Sequence, residues 1–339
     1  MRLVIDGFGK FLGRKGETIV VKEDRKIVAR LQPQELEQVI ISGKGTISTD
    51  ALRLLAEHGV DVLIVDFRGE ILAILMPPMM RTVSTRREQY LAYKDKRGVK
   101  IAKEFVKAKI KNQKAILYTL AKRRVDTQPE LAEKLYSAAK ELEELSEKVR
   151  VIEGKNIEEV REILFNLEGR AAQHYWEAVG GLLRDLGFKE RSGRYATDPV
   201  NSMLNYGYGI LMGEIWRAVH YAGLDPYGGF LHADKPGKPS LVLDLMEEFR
   251  PHVVDRFVIK LVTRKIVSPE DFEIVDGVCQ MKENTRRLFL QEFLSDLSSN
   301  VRLEENKSSW SNVMLHQARQ LAKFLRGERT TYDGFIQYW

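Results

Sequence analysis

The sequence predicts a mixed α+β protein with more than one domain, in which a small N-terminal β-strand domain precedes a larger all-α domain. Short apolar runs separated by glycines fill the first 80 residues. From about Thr85 onward, apolar residues recur at the 3.6-residue period of amphipathic helices. The length of 339 residues corresponds to about two domains, so each pattern has room for a core of its own.

The N-terminal part contains six predicted strands, all short and rich in Val, Ile and Leu. They are residues 2–5, 18–22, 26–31, 38–41, 60–65 and 71–76. One helix interrupts them over residues 51–57, because the polar residues 48–50 can cap its start and Gly59 can end it. These elements form a predicted β domain over residues 1–80.

A proline pair and a series of helical patterns define the rest of the chain. Pro77-Pro78 can continue neither a central strand nor a helix interior, so a linker is predicted over 81–90 and a helical domain over 91–339. The predicted helices are residues 84–94, 99–123, 128–152, 157–186, 199–222, 241–262 with a break at Pro251, 283–298 and 309–325. A short hairpin is predicted within 267–281, with Gly277 in its turn.

The composition excludes several classes of protein. Charged residues make up 30% of the chain, and no apolar run reaches the roughly 18 residues of a membrane span, so no membrane association is expected. The single cysteine, Cys279, excludes an intrachain disulfide framework and any multi-cysteine metal site. Asp6 interrupts the apolar N-terminus, so no signal peptide is evident and a cytoplasmic location is expected.

Positive charge is concentrated in one segment, residues 81–124. This basic segment contains 15 Lys and Arg residues against three acids, a net charge of +12; the whole chain is +6, so the remainder is −6. Such a stretch beside a mildly acidic remainder is typical of nucleic-acid-binding proteins. A solvated helix face has the same composition, and charge alone does not separate the two interpretations.

One acid and one imidazole stand out as candidate functional residues. Glu168 lies on the apolar stripe of a predicted helix, where a carboxylate is costly unless it is paired, protonated or bound to a metal. A structural glutamate paired with Arg170 or Arg184 fits the same spacing. His232 lies in the Gly- and Pro-rich segment 228–237, and loops held between helices often carry functional sites, although a lone loop histidine is often incidental.

Three acids lie near the start of the next predicted helix. Asp244 shares one helix face with Glu247 or Glu248, at spacings of i+3 and i+4. Acids in a first helical turn also suit the helix dipole, which requires no functional role. Together with Glu168 and His232, these carboxylates suit a hard or borderline divalent cation such as Mg²⁺ or Mn²⁺, which can activate a hydroxyl and stabilise a phosphoryl group.

Four ordered motifs give these residues a family context. The motifs are residues 166–172 (NLEGRAA), 198–209 (DPVNSMLNYGYG), 223–232 (GLDPYGGFLH) and 239–251 (PSLVLDLMEEFRP). Their order and spacing resemble those of the CRISPR-associated spacer-acquisition integrases, the core endonucleases of CRISPR adaptation. The opening residues and segment 42–48 are similar to the family's N-terminal β domain, so the resemblance covers essentially the whole chain.

The resemblance implies a metal-dependent DNA endonuclease and integrase of antiviral defence. Members of the family insert captured spacer DNA into the CRISPR array by attack of a 3′-hydroxyl on a repeat phosphodiester. Glu168, His232 and Glu247 match the family's ligands for Mg²⁺ or Mn²⁺, and Asp244 matches a further acid that supports the catalytic site. The alignment of this motif assigns the role of metal ligand to Glu247 and not to Glu248. The resemblance also implies that the helical domain is the catalytic, metal-binding domain.

The resemblance also implies partners. They are double-stranded DNA (spacer precursor and CRISPR repeat), a second copy of the chain in a homodimer, and a small ferredoxin-like companion subunit. Candidate DNA contacts are Arg86, Arg87, Arg170, Lys235 and Tyr206. The four basic side chains can bind phosphates and the tyrosine can stack on a splayed base, although surface salt bridges and a place in the core are the common roles of such residues.

Two other functions fit parts of the sequence. A non-catalytic DNA-binding scaffold of the same fold would keep the basic segment, but it has no need to hold Glu168, His232 and Glu247 together. An unrelated metal-dependent phosphodiesterase would keep the acids, but it would explain neither the β domain nor the motif 198–209.

Overall fold

The computed structural model describes residues 1–78, 83–193, 195–303 and 306–337. A β-strand region comes first and a helical region follows, which confirms the mixed α+β class. Arg81, which opens both the basic segment and the predicted linker 81–90, lies outside the described residues. The division at this linker stays a prediction.

Within residues 1–78, the chain forms eight strands and one helix. They are β1 (Arg2–Ile5), β2 (Phe8–Lys15), β3 (Thr18–Glu23), β4 (Lys26–Leu31), β5 (Gln38–Ile41), β6 (Lys44–Ile47), α1 (Thr49–Glu57), β7 (Asp61–Val65) and β8 (Ile71–Leu75). One four-stranded sheet has the order β1-β5-β7-β8, and the other has the order β4-β3-β2-β6. Strands β2 and β6 were not predicted, because glycine and lysine, which are depleted in strands, interrupt their apolar pattern.

The central strands β5 and β7 belong to two hydrophobic cores. They pair in parallel, with Val39 opposite Val62 and Ile40 opposite Leu63. The two valines pack into a core that contains α1, whereas Ile40 and Leu63 pack into the large core of the helical region. Because successive side chains of a strand point to opposite faces, both faces of this sheet are buried, and the strands are apolar without alternation.

The helical region contains long helices and two hairpins. The helices are α2 (Ser84–Ala92), α3 (Lys96–Lys122), α4 (Pro129–Arg150), α5 (Arg161–Gly180), α6 (Pro199–Tyr221), α7 (Ser240–Met246), α8 (Arg256–Thr263), α9 (Glu283–Ser298) and α10 (Trp310–Leu325). The predicted hairpin is confirmed as β9 (Phe272–Val275) and β10 (Val278–Met281), and a second, unpredicted hairpin consists of β11 (Asn300–Leu303) and β12 (Asn306–Ser309). Among the helices that the structure describes, none combines the length and the apolar surface that a membrane span needs.

Two predicted helices are interrupted. Residues 157–186 begin with a 3-10 turn at Ile157–Glu159, and Gly181 follows the end of α5. Residues 241–262 divide into α7, a π-helical turn at Pro251–Asp255, and α8. Proline lacks the N–H that an α-helix interior requires, so the hydrogen-bond ladder changes where the proline enters.

Helix α6 touches the turn between β7 and β8 with its backbone. A Cβ atom at Gly209 would lie 1.8 Å from the carbonyl oxygen of Gly69, whose φ of +83° itself favours glycine. At the opposite end of β7, Nε of Arg217 lies 2.7 Å from Oδ2 of the fully buried Asp61. The last glycine of the 198–209 motif is therefore required for packing of the helical region on the sheet.

A buried ion pair joins β1 to α6 and α10. Nη2 of Arg2 donates to Oε2 of Glu214 at 2.9 Å, and the hydroxyl of Ser311 donates to the same oxygen at 2.7 Å. The side chains of Arg2 and Glu214 are only 6% and 2% exposed. The pair therefore connects three elements that are distant in sequence.

The Arg2–Glu214 pair gives a stability prediction. Arg2→Ala leaves Glu214 as a buried, uncompensated charge, so we expect the free energy of unfolding in urea to fall by about 3–5 kcal/mol. Arg14→Ala is the matched control, because it breaks an exposed pair with Glu17 and should lower the free energy by about 1 kcal/mol or less. Equal losses in the two variants would contradict a countercharge role for Arg2.

The buried His252 gives a prediction of acid sensitivity. It lies in the π-helical turn with its ring stacked on Trp310, and burial, aided by the charge of Arg256, lowers its pKa to about 3. The unfolded chain therefore binds a proton that the folded chain does not, and stability falls as the pH drops from 7 towards 4. We expect His252→Phe to reduce this loss in urea unfolding, whereas His58→Phe, at an exposed position, should not. An unchanged pH dependence in His252→Phe would refute the prediction.

Candidate active site

A buried lysine joins two of the predicted site carboxylates. Nζ of Lys109, on α3, donates to Oε1 of Glu168 on α5 and lies 2.6 Å from Oε2 of Glu247, which directly follows α7. Glu168 therefore pairs with a lysine of another helix, and neither Arg170 nor Arg184 is the partner that the structure gives it. Glu168 follows the buried Leu164 by one turn of α5 and reaches Lys109 on α3.

Neighbouring charges set the protonation state of Glu247. Burial acts to raise its pKa, but the charges of Arg250, Lys109 and His232 outweigh burial and lower the pKa to about 2. Nε of Arg250 lies 3.3 Å from Oε1 of the same carboxylate. Burial acts to lower the pKa of Lys109, but Glu247 and Glu168 raise it above its usual value. Carboxylate and ammonium are therefore both charged at neutral pH.

Asp244 folds the loop that carries His232. Its Oδ2 accepts the N–H groups of Phe230 and Leu231 at 2.6 and 2.9 Å, and its Oδ1 accepts the N–H of His232 at 2.8 Å. Gly229 permits this approach, since a Cβ atom there would lie 2.5 Å from Cβ of Ser240 on α7. A fully buried aspartate thus accepts three consecutive backbone N–H groups of the loop.

The same aspartate orients the imidazole of His232. Nδ1 of His232 lies 2.7 Å from Oδ1 of Asp244. A carboxylate only accepts hydrogen bonds, so Nδ1 is the donor, and a ring that binds a metal in this tautomer would do so through the lone pair of Nε2. The ring edge of Phe165, on α5, packs against the imidazole at a centroid distance of 5.5 Å. Asp244 is therefore placed as a positioning residue for His232.

Glu248 points away from this cluster. Its carboxylate accepts the hydroxyl of Tyr332 at 2.5 Å and the N–H of Phe335 at 2.9 Å, and burial raises its pKa to about 8. Its backbone carbonyl accepts Nδ2 of Asn112, on α3, at 2.8 Å. Of the two adjacent acids, only Glu247 faces Glu168.

The donor types of Glu168, Glu247 and His232 suit a divalent cation. Two carboxylates and an imidazole nitrogen whose ring is oriented by a third acid are a donor set that Mg²⁺ and Mn²⁺ accept. Oε2 of Glu247 is buried, and an ion pair with Lys109 neutralises it. Within the described ranges no three His, Cys, Asp or Glu side chains are already spaced as a metal site. Glu168, Glu247 and His232 are therefore chemically suitable ligands for such a cation, while the ammonium of Lys109 lies between the two carboxylates.

Two cavities adjoin the cluster. One of about 490 Å³ is lined by Lys109 and Glu168 together with Arg191, Tyr208 and Arg250. The other, of about 380 Å³, lies between α6, the β7–β8 turn and β10, and the last three residues also line it. The guanidinium groups of Arg191 and Arg250 lie 5.2 and 4.8 Å from the ring centre of Tyr208. The wall that the cavities share is therefore positively charged, which suits a phosphate ligand.

The predicted DNA-contact residues lie in different environments. Arg87, Arg170 and Lys235 are exposed, and Arg86 is half-buried. Tyr206 is 1% exposed, and its ring packs edge-to-face against a phenylalanine of α9 at 5.6 Å. Their contacts with DNA stay predictions.

Comparison with known proteins identifies relatives over the whole length. A model of the family described as CRISPR associated protein Cas1 matches residues 3–295. CRISPR-associated endonuclease Cas1 1 of Archaeoglobus fulgidus is 49% identical, and the match covers 100% of each chain.

Solved structures share the fold. A casposase bound to integration product has a TM-score of 0.85 at 28% identity, with 100% of this chain and 94% of that chain covered. A chain of a Cas6-RT-Cas1–Cas2 complex has a TM-score of 0.81 at 22% identity, with 100% of this chain but 36% of that chain covered. The second likeness is one of fold alone.

The role of Asp244 gives a prediction about the loop. Asp244→Asn replaces an acceptor oxygen by an amino group that faces backbone donors, so we expect the free energy of unfolding to fall by about 2–3 kcal/mol. Amide hydrogen exchange at residues 230–232, followed by mass spectrometry, should become faster. Asp225→Asn is the control, because Asp225 accepts the N–H of Tyr227 and none of these three. Unchanged exchange at 230–232 in Asp244→Asn would contradict the assignment.

Proposed function

This chain belongs to the Cas1 family of CRISPR-associated proteins, and from that premise we propose that it is a divalent-metal-dependent DNA endonuclease and integrase of CRISPR adaptation. The observation that carries the proposal is the cluster of Glu168, Glu247 and the His232–Asp244 pair. It adjoins a cavity whose wall contains Arg191 and Arg250. The names of its relatives, an endonuclease and a casposase bound to integration product, support the same chemistry.

The proposed reaction exchanges one phosphodiester for another. A DNA 3′-oxygen forms a bond to phosphorus of the repeat, the bond from phosphorus to the leaving 3′-oxygen breaks, and the proton lost by the attacking hydroxyl is gained by the leaving oxygen. Water in place of the 3′-hydroxyl gives hydrolysis, which is the endonuclease activity. The step is balanced without a redox partner or a nucleotide.

The side chains have separate roles in this proposal. Glu168, Glu247 and Nε2 of His232 would hold Mg²⁺ or Mn²⁺, which when bound supplies Lewis-acid stabilisation of the charge on phosphorus. Asp244 fixes the ring and tautomer of His232 through Nδ1. Arg250 neutralises the oxygen of Glu247 that faces it.

DNA is the proposed substrate, both as spacer precursor and as CRISPR repeat. The exposed side chains of Arg87, Arg170 and Lys235 can contact DNA phosphates, and the half-buried Arg86 can do so through its exposed part. Tyr206 would have to leave its place in the core to stack on a base.

The proposal includes a homodimer and a small ferredoxin-like companion subunit. The family membership and the shared fold with a chain of a Cas1–Cas2 complex support a companion of this kind. In the same proposal residues 1–80 are the β domain and 91–339 the catalytic domain. Their shared polar contacts, such as Arg2–Glu214, keep the two parts in one orientation.

A strand-joining assay tests the function. Labelled duplex DNA with 3′-hydroxyl ends is incubated with a supercoiled repeat-containing plasmid, Mn²⁺ and the companion subunit. We expect metal-dependent joining that falls by at least about a hundredfold in His232→Ala, because the variant loses a metal ligand. His174→Ala is the matched control, since His174 lies on α5 and pairs with Glu141 outside the site.

The outcomes separate the alternatives. DNA binding without joining or cutting under any divalent cation would replace the proposal by a non-catalytic DNA-binding scaffold. Cutting without joining would leave an endonuclease and remove the integrase. Equal losses in His232→Ala and His174→Ala would show that the effect does not arise at the proposed site.

A further inference from the structure

The most unusual feature of the site is a positive charge where the acidic residues meet. Lys109 is 8% exposed, and its ammonium lies between Glu168 of α5 and Glu247 at the end of α7. A buried lysine with two carboxylate partners from two other helices is an arrangement that packing alone does not require. Lysine is among the residues that are almost never fully buried unless they are paired.

The ammonium is the charge that allows the two carboxylates to be neighbours. Arg250 lies beside Oε1 of Glu247, whereas Lys109 lies beside Oε2 of Glu247 and donates to Oε1 of Glu168. Without a cation at this point, the negative charges of the buried Glu247 and the half-buried Glu168 would face each other, and like charges that water screens poorly repel strongly. The ammonium of Lys109 thus neutralises neighbouring carboxylates, as a divalent ion does in a metal site.

We propose that Lys109 is a resident cation of the metal site, which holds Glu168 and Glu247 together in the metal-free protein and which a divalent ion must displace in order to bind. The inference rests on the metal site of the proposed function, and it adds a competitor built into the chain. The same two carboxylate oxygens cannot serve the ammonium and a small divalent ion at once, because a metal ion binds its oxygen ligands at about 2.0–2.2 Å and leaves no room for a nitrogen between them.

The structure gives the displaced side chain a place to go. Lys109 itself lines the cavity of about 490 Å³ beside the cluster. Its four-carbon stem is flexible, so the ammonium can leave the carboxylates while α3 keeps its position. The metal-free and metal-bound forms then differ by a rotation of one side chain, and the apparent metal affinity is reduced by the fraction of molecules in which the carboxylates are free.

Mn²⁺ binding to Lys109→Met tests the inference. Methionine keeps the length and the apolar stem but removes the charge. We expect the Kd for Mn²⁺, measured on the full chain without DNA by titration calorimetry and by the electron spin resonance of free Mn²⁺, to fall by at least about tenfold. The metal-free variant should melt at a lower temperature than the wild type, and Mn²⁺ should raise its Tm by more.

Two variants serve as controls. Lys107→Met removes an ammonium two residues away on α3, where it pairs with Glu104, and it should leave the Kd for Mn²⁺ within twofold of the wild type. Lys109→Arg keeps the charge and should keep the affinity low, which separates loss of charge from disturbed packing. A crystal structure of the wild type with Mn²⁺ gives a readout that remains valid if Lys109→Met does not fold. In that crystal structure, Nζ of Lys109 should lie beyond ion-pair distance of the carboxylates of Glu168 and Glu247.

Several results would overturn the inference. An unchanged or weaker Mn²⁺ affinity in Lys109→Met would mean that the ammonium does not compete with the ion. Lys109 still between Glu168 and Glu247 in the Mn²⁺-bound crystal would mean the same. If strand joining requires a metal but the Kd for Mn²⁺ is the same in the wild type and in Lys109→Met, only this inference fails. If neither the wild type nor Lys109→Met binds Mn²⁺, the inference and the metal dependence of the proposed function fail together.

Discussion

A carboxylate buried without a countercharge is costly, and in this protein that constraint brings three helices together at one lysine. Lys109 projects from α3 and meets Glu168 of α5 and Glu247 at the end of α7. Arg250 completes the neutralisation on the other side of Glu247. The positions of these helices therefore depend on opposite charges as well as on apolar packing. The loop of His232 depends on charge too, because a buried aspartate collects its backbone donors.

Local sequence signals predicted the order of elements well, because hydrophobic periodicity and turn residues act over short distances. The strand region, the long helices and the hairpin around Gly277 follow such signals. The failures have local reasons as well. The strand Phe8–Lys15 contains two glycines and three basic residues, so it lacks an apolar alternation. Its pairing with β3 and β6, which the sequence does not display, is what makes it a strand.

The candidate site, like the fold, is only partly predictable from the sequence. The order of the motifs predicts Glu168, His232 and Glu247 as site residues, but spacing alone does not distinguish Glu247 from Glu248. The difference comes from Tyr332, more than eighty positions along the chain, which holds Glu248 in the core. In the sequence, Lys109 is one of the 15 Lys and Arg residues of the basic segment. A signal for it existed: Lys109, Asn112 and Gln113 continue the buried stripe of α3, where apolar residues are otherwise found. Polar residues on such a stripe need partners, but the sequence does not say which.

The sheet β1-β5-β7-β8 has a consequence for how the chain unfolds. Its two faces contribute to different cores, with Val39 and Val62 on one side and Ile40 and Leu63 on the other. Removing the strands would uncover part of the helical core, and removing the helices would leave one face of the sheet in water. Neither part can melt while the other keeps its full stability, so denaturation of the two regions is thermodynamically coupled. The shared sheet thus links the stability of the β region to that of the helices, even though their sequences have the patterns of two domains.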